Sequence, residues 1–175
     1  MNMFSHCENL TSFNGNLSTL KYGTSMFEYC TALTSFNSNL NTLDGGFCMF
    51  HNCTALTSFN GVLSSLTSGD EMFSGCTSLT SFTSDLSILN RGNGMFDKCK
   101  LDAQSVRNIV DTLPTRKSLP IEGSVGTITI GIGCNDIDKD DFATDCQCDN
   151  WQELLDYFSD KKWIPIFQFN GKPTT

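Results

Sequence analysis

Over residues 1–100 the apolar positions neither alternate as in a strand nor recur at helical spacing. They fall about every three residues and return as a block every 23 residues. Met3, Phe4, Cys7, Leu10, Phe13, Leu17 and Leu20 define the first block, spanning 3–25. The framework Met-Phe-x-x-Cys-x-x-Leu-Thr-Ser-Phe-x-x-x-Leu-x-x-Leu restarts at Met26, Met49 and Met72 without an insertion. A further copy opens at Met95 and breaks after Cys99.

A unit this short cannot bury its apolar face alone, whereas stacked copies cover one another. The pattern therefore predicts ladders along an axis: Leu10 under Leu33, Leu56 and Leu79, and Phe13 under Phe36, Phe59 and Phe82. Leu-Thr-Ser-Phe is the expected strand, with neighbouring backbones roughly 4.8 Å apart. Asn14-Gly15, Gly45-Gly46 and Asn60-Gly61 are the expected turns. The fold class is an α/β repeat: a right-handed solenoid of about four 23-residue coils with short parallel strands.

Beyond Cys99 the periods change. Leu101, Val106, Ile109, Val110 and Leu113 stand at helical spacing, with Asp102 as N-cap and Pro114 past the end. Residues 126–133 alternate as a strand, Asn150 can cap a helix starting at Trp151, and 163–171 reads as a closing strand. The organisation expected is a leucine-rich solenoid over 1–100 and a small α/β cap over 101–175 that continues the sheet.

The Met-Phe-x-x-Cys-x-x-Leu-Thr-Ser-Phe framework resembles the bacterial-surface (BspA-like) type of leucine-rich repeat. It departs from the common form in its second-strand Phe and in lacking the usual Pro. The resemblance implies a binding or structural module, a role found in bacterial adhesins, protist surface proteins and phage structural proteins. The C-terminal segment resembles the closing segment of repeat proteins from tailed phages and gut bacteria, with Lys161-Lys162-Trp163 where Lys-Gly-Trp is typical.

Charge narrows the partners. A net charge of -8 with no basic stripe argues against a nucleic-acid backbone or anionic lipid. No apolar stretch approaches the length of a membrane span, and the N-terminal residues show no basic-then-apolar leader. Of nine cysteines, Cys7, Cys30, Cys53, Cys76 and Cys99 recur with the repeat. Such positions suit small buried side chains, so reduced thiols are expected.

No nucleophile–base pair, phosphate loop or cofactor motif is present, and no catalytic residue, metal ligand or cofactor is assigned. His6 and His51 lie two repeats apart, too far to share one metal ion, and read as surface histidines. The run from Asp136 to Asp141 opens like a calcium loop, but Asp141 and Gln147 stand where Gly and Glu are required. Cys134, Cys146 and Cys148 have poor spacing for zinc. The Asn9, Asn16 and Asn52 sequons are expected by accident in such a composition.

Repeat arrays bind through the positions that vary. The candidates are Tyr22, Tyr29, Phe47, His51 and Asn52, with the aromatics foremost because aromatic side chains dominate interfaces. Expected partners are other protein subunits, or a host-surface protein or glycan, with a homo-oligomer possible and the first coil open to a neighbour. The reading favoured is a phage virion protein (fibre, decoration or tail). The alternatives are a fragment of a bacterial cell-surface adhesin or a cytoplasmic interaction scaffold.

Overall fold

The computed structural model describes residues 2–115, 127–132, 143, 145–148, 151–169 and 172–173. Four two-residue strands, β1 (Ser12–Phe13), β2 (Ser35–Phe36), β3 (Ser58–Phe59) and β4 (Ser81–Phe82), mark the same place in successive 23-residue units. β1 pairs with β2, and β3 with β4, parallel and in repeat register: Phe13 faces Phe36 and Phe59 faces Phe82. The expected four-residue strand shrinks to its Ser-Phe half. The preceding Thr turns its hydroxyl back on its neighbour, Thr34 Oγ1 to the Thr11 carbonyl and Thr80 Oγ1 to that of Thr57.

A denser run of inter-unit bonds lies elsewhere. The amides of Gly23, Ser25, Phe27 and Tyr29 donate to the carbonyls of Gly45, Phe47, Met49 and His51 at 2.8–2.9 Å. The same ladder recurs one and two units on, from Gly46, Cys48, Phe50 and Asn52, and from Gly69, Glu71, Phe73 and Gly75. In these three units the segment is not a regular strand, and the chain passes through left-handed backbone twice per unit. Ser25, Cys48, Glu71 and Gly94 share one such column (φ 50° to 64°), and His6, Tyr29, Asn52, Gly75 and Lys98 the other (φ 59° to 76°).

The glycine column explains the tight stacking. Gly23, Gly46, Gly69 and Gly92 occupy one framework position. A Cβ on Gly23 would meet Met49 Sδ at 2.6 Å, and one on Gly46 would meet Met72 Sδ at 2.9 Å. The requirement is for close approach, not for a turn, which corrects the reading of Gly46 as a bend residue.

Inside, two phenylalanine ladders run side by side. Phe27, Phe50, Phe73 and Phe96 stack nearly parallel at 5.4–5.7 Å, and each meets the Phe13 column edge-on, as Phe73 does Phe59 at 4.8 Å. Offset stacks and edge contacts are the geometries that the ring quadrupole favours. Leu33, Leu56 and Leu79 are fully buried beside them. The first unit is less covered: Met3 is 65% exposed, and Phe4, Leu10, Phe13, Leu17 and Leu20 are only partly buried.

The repeat cysteines do more than fill space. Cys30, Cys53, Cys76 and Cys99 donate their thiol protons to the carbonyls of Phe4, Phe27, Phe50 and Phe73 in the preceding unit, at 3.1–3.2 Å. Burial pushes the Cys30 thiol up to about 11 and the other three higher still. The described cysteines are all free thiols.

Past the repeats, β5 (Gly92–Leu101) leads into α1 (Ala103–Thr112), and Asp102 caps α1 by accepting from the Ser105 amide at 2.8 Å. β6 (Thr127–Ile132) pairs parallel with β5, and β7 (Ile164–Phe169) parallel with β6 after α2 (Trp151–Asp160). A short β8 (Lys172–Pro173), absent from the sequence expectation, pairs antiparallel with β7. Lys161 Nζ reaches the Leu113 carbonyl at 2.7 Å, and Trp163 Nε1 that of Pro114 at 2.9 Å. The turn before β7 is thereby tied to the C-terminal end of α1. No described helix is long and apolar enough to cross a membrane.

Candidate functional site

The five candidate binding residues come from three units and lie on segments that the 23-residue register pairs backbone to backbone. Tyr22 pairs by a β-bridge with Gly45, which leads on to Phe47, and Tyr29 donates its amide to the His51 carbonyl. Tyr22 is 61% exposed, Phe47 46% and Tyr29 38%. Among the described residues these are the exposed aromatic side chains.

Tyr29 does not stand free. Its ring stacks on His6 at 4.7 Å and 8° on one side, and faces His51 at 5.9 Å and 24° on the other. The repeat thus builds a His-Tyr-His stack on the surface, with the tyrosine between the two histidines. Asn52 is half-buried and lies over the open Cα of Gly75, whose Cβ, if present, would collide with Asn52 Oδ1. It acts as packing within the edge more than as a free contact. Two other variable residues are committed elsewhere. Asp70 is buried, accepts from the Asn93 amide at 2.9 Å and pairs with Arg91 at 2.6 Å.

His51 departs most from its reading as a surface histidine. Its side chain is only 21% exposed, and Nδ1 is buried with no hydrogen-bond partner among the described residues. Nδ1 lies 3.5 Å from Glu71 Oε2, without the geometry of a hydrogen bond. Cys48 Sγ donates to the same oxygen at 3.8 Å, and a ligand atom from each of the three residues lies within 4.8 Å of the other two. The distance argument separating His6 from His51 stands; the residues close to His51 are others.

Local structure makes this cluster. Residues 48–51 close a turn, the His51 amide donating to the Cys48 carbonyl at 3.1 Å, which sets the two side chains together. Glu71 is the counterpart of Cys48 one unit later, so the stacking itself brings its carboxylate alongside. Burial first, then the carboxylates of Glu71, Glu28 and Asp70, push the Cys48 thiol up to about 12. A bare thiol there stays protonated and unreactive. The Cys-x-x-His spacing of Cys48-Met-Phe-His51 was legible in the sequence, but the repeat frame cuts between Cys48 and Met49 and hides it.

The other chemistry-bearing motifs add little. The acidic run from Asp136 to Asp141 and Cys134 lie outside the described residues. Cys146 and Cys148 are buried, and the Cys148 thiol contacts the Cys146 carbonyl at 3.8 Å.

No curated protein and no solved structure matches the chain. The model of the BspA type leucine rich repeat region does match, with six copies over residues 1–118, well past the break in the 23-residue framework. That match covers more than half of the chain and agrees with the stacked units and short parallel strands. The chain belongs to the BspA-type leucine-rich-repeat family, a class of typically non-enzymatic repeat modules that serve at surfaces and in protein interaction.

Proposed function

We propose that the chain is a non-enzymatic interaction module that presents the edge bearing Tyr22, Tyr29 and Phe47 to a protein or glycan partner at a bacterial surface. The observation that supports this is a division of labour among apolar residues. From the second unit on, the framework Phe, Leu and Met side chains are buried, while the exposed aromatics stand at variable positions of neighbouring, backbone-paired segments. Rigid aromatic rings held on a stacked scaffold lose little entropy on contact. In this reading residues 1–100 form about four coils, and residues 101–175 cap them by extending the sheet from β5.

Two settings fit such a module. Display on a bacterial cell surface accords with the family, whose members are often surface-associated. A phage virion component (fibre, decoration or tail) is supported by the resemblance of the C-terminal segment to phage repeat proteins.

The test is binding of the labelled chain to a panel of bacterial cells, with and without competing surface polysaccharide. Saturable binding is expected, weakened at least tenfold in a Tyr22→Ala, Tyr29→Ala, Phe47→Ala triple variant. Absence of binding to every cell type, or binding that ignores the triple variant, would reject the aromatic edge as the contact surface.

A further inference from the structure

We infer that Cys48, His51 and Glu71 form a binding site for a divalent transition cation of the zinc class, which staples two neighbouring units together at the variable edge. The inference rests on geometry and donor chemistry. One ligand atom from each of Cys48, His51 and Glu71 lies within 4.8 Å of the other two. With ordinary zinc bond lengths and tetrahedral angles, a shared ion sets N···O at about 3.4 Å and S···O at about 3.6 Å. The observed separations are 3.5 and 3.8 Å. Two of the three separations therefore stand close to those that such an ion would set, and the Cys48 and His51 ligand atoms lie within 4.8 Å of each other.

The orphaned nitrogen points the same way. An unpartnered buried imidazole nitrogen costs free energy, and an Nδ1 that carries no proton sets its lone pair against that of the facing carboxylate oxygen. A cation between them removes both penalties. Binding converts the thiol to a metal-bound thiolate and releases its proton to solvent, while His51 binds as the neutral imidazole and Glu71 as the carboxylate. Thiolate, imidazole and carboxylate together suit zinc and its chemical neighbours better than calcium or magnesium. Three protein ligands leave one position for water or for a group of a partner, on the solvent side where Glu71 is exposed.

The repeat supplies mild variants. Ser25 occupies the Cys48 column, and Ser74 the His51 column, in neighbouring units. Cys48→Ser and His51→Ser therefore place residues that this backbone already carries. The experiment titrates the full reduced chain with Co(II), reading the near-ultraviolet thiolate-to-metal band and the visible bands of tetrahedral cobalt, with Zn(II) as competitor. The wild type is expected to bind one ion with a thiolate band, and Zn(II) at a hundredfold excess over its dissociation constant should raise the unfolding midpoint by roughly 5–10 °C. Cys48→Ser should abolish the band, and His51→Ser and Glu71→Gln should each weaken binding at least tenfold. Glu71→Gln keeps the thiol and the packing, so it remains decisive if Cys48→Ser alters the fold. A thiolate band that survives in Cys48→Ser with a wild-type far-ultraviolet spectrum would place the metal elsewhere and overturn the inference. So would no binding at micromolar cobalt.

Discussion

Replacing Phe73 by alanine tests the central claim that stability accumulates through ring-to-ring contacts along the stack. Phe73 is fully buried, and its ring lies 4.8 Å from Phe59, 5.4 Å from Phe50, 5.7 Å from Phe96 and 5.8 Å from Phe82. Its neighbours are held by inter-unit backbone bonds on both sides, so the site can collapse only partly. A buried Phe→Ala change in that situation costs about 3–5 kcal/mol. For a chain of this size that lowers the unfolding midpoint by roughly 6–20 °C. Phe4 holds the same framework position in the first unit but is only partly buried, with ring contacts to Phe13 at 5.1 Å and Phe27 at 5.2 Å. Phe4→Ala should therefore cost about 1–2 kcal/mol, less than half as much. Urea unfolding followed by far-ultraviolet circular dichroism reads the backbone of the stack. The fluorescence of Trp151 and Trp163 reads the C-terminal region, and coincident transitions are needed before a single free energy is assigned. Equal losses in the two variants would refute the reasoning, because the ring neighbours would then carry no weight.

The repeat thiols make the fold sensitive to alkali. Below about pH 8 these thiols are protonated in both states and contribute nothing to the pH dependence. Above it the unfolded thiols ionise while the buried ones keep their protons, the Cys30 thiol up to about 11. Each thiol then withdraws up to about 1.4 kcal/mol of stability per pH unit. Urea midpoints should hold steady to about pH 8 and fall steeply between about pH 9 and 11, more shallowly in Cys76→Ala; a flat profile would show that these thiols do not stay buried. A thiol reagent at pH 8 should modify Cys7, the exposed member, well before Cys30, Cys53, Cys76 or Cys99. Lys98 carries a left-handed φ of 61° where the preceding unit has Gly75. Its ion pair with Asp97, at 3.9 Å, is exposed and weak. Lys98→Gly should stabilise the chain by about 0.5–1 kcal/mol, the relief of backbone strain exceeding the added freedom of the unfolded chain. A loss of stability would mean that the Lys98 side chain contributes more than its conformation costs.

The repeat framework was readable because stacking demands the same side chain at the same place in every unit. Phe13, Phe36, Phe59 and Phe82 could be assigned to one ladder without coordinates, and the helix over 101–113 was legible from its cap and period. Any such ladder must be covered by its neighbour, so periodicity alone implies the solenoid. The glycine column was equally periodic and was missed, because its reason is the approach of a methionine sulfur from the next unit and not a local turn.

Side-chain chemistry across units followed different rules. The stacking of Tyr29 between His6 and His51 depends on how far the chain coils between two left-handed residues, which no local pattern reports. The Cys48, His51 and Glu71 cluster joins a turn closed by one backbone bond to a partner 23 residues from Cys48, straddling the boundary that the repeat frame imposes. The sequence by itself determined which residues form the core and that the units stack, since burial of a recurring apolar face admits few other solutions. Only the tertiary structure decided which variable residues touch, because that depends on the register between coils and on the left-handed backbone that aims each side chain.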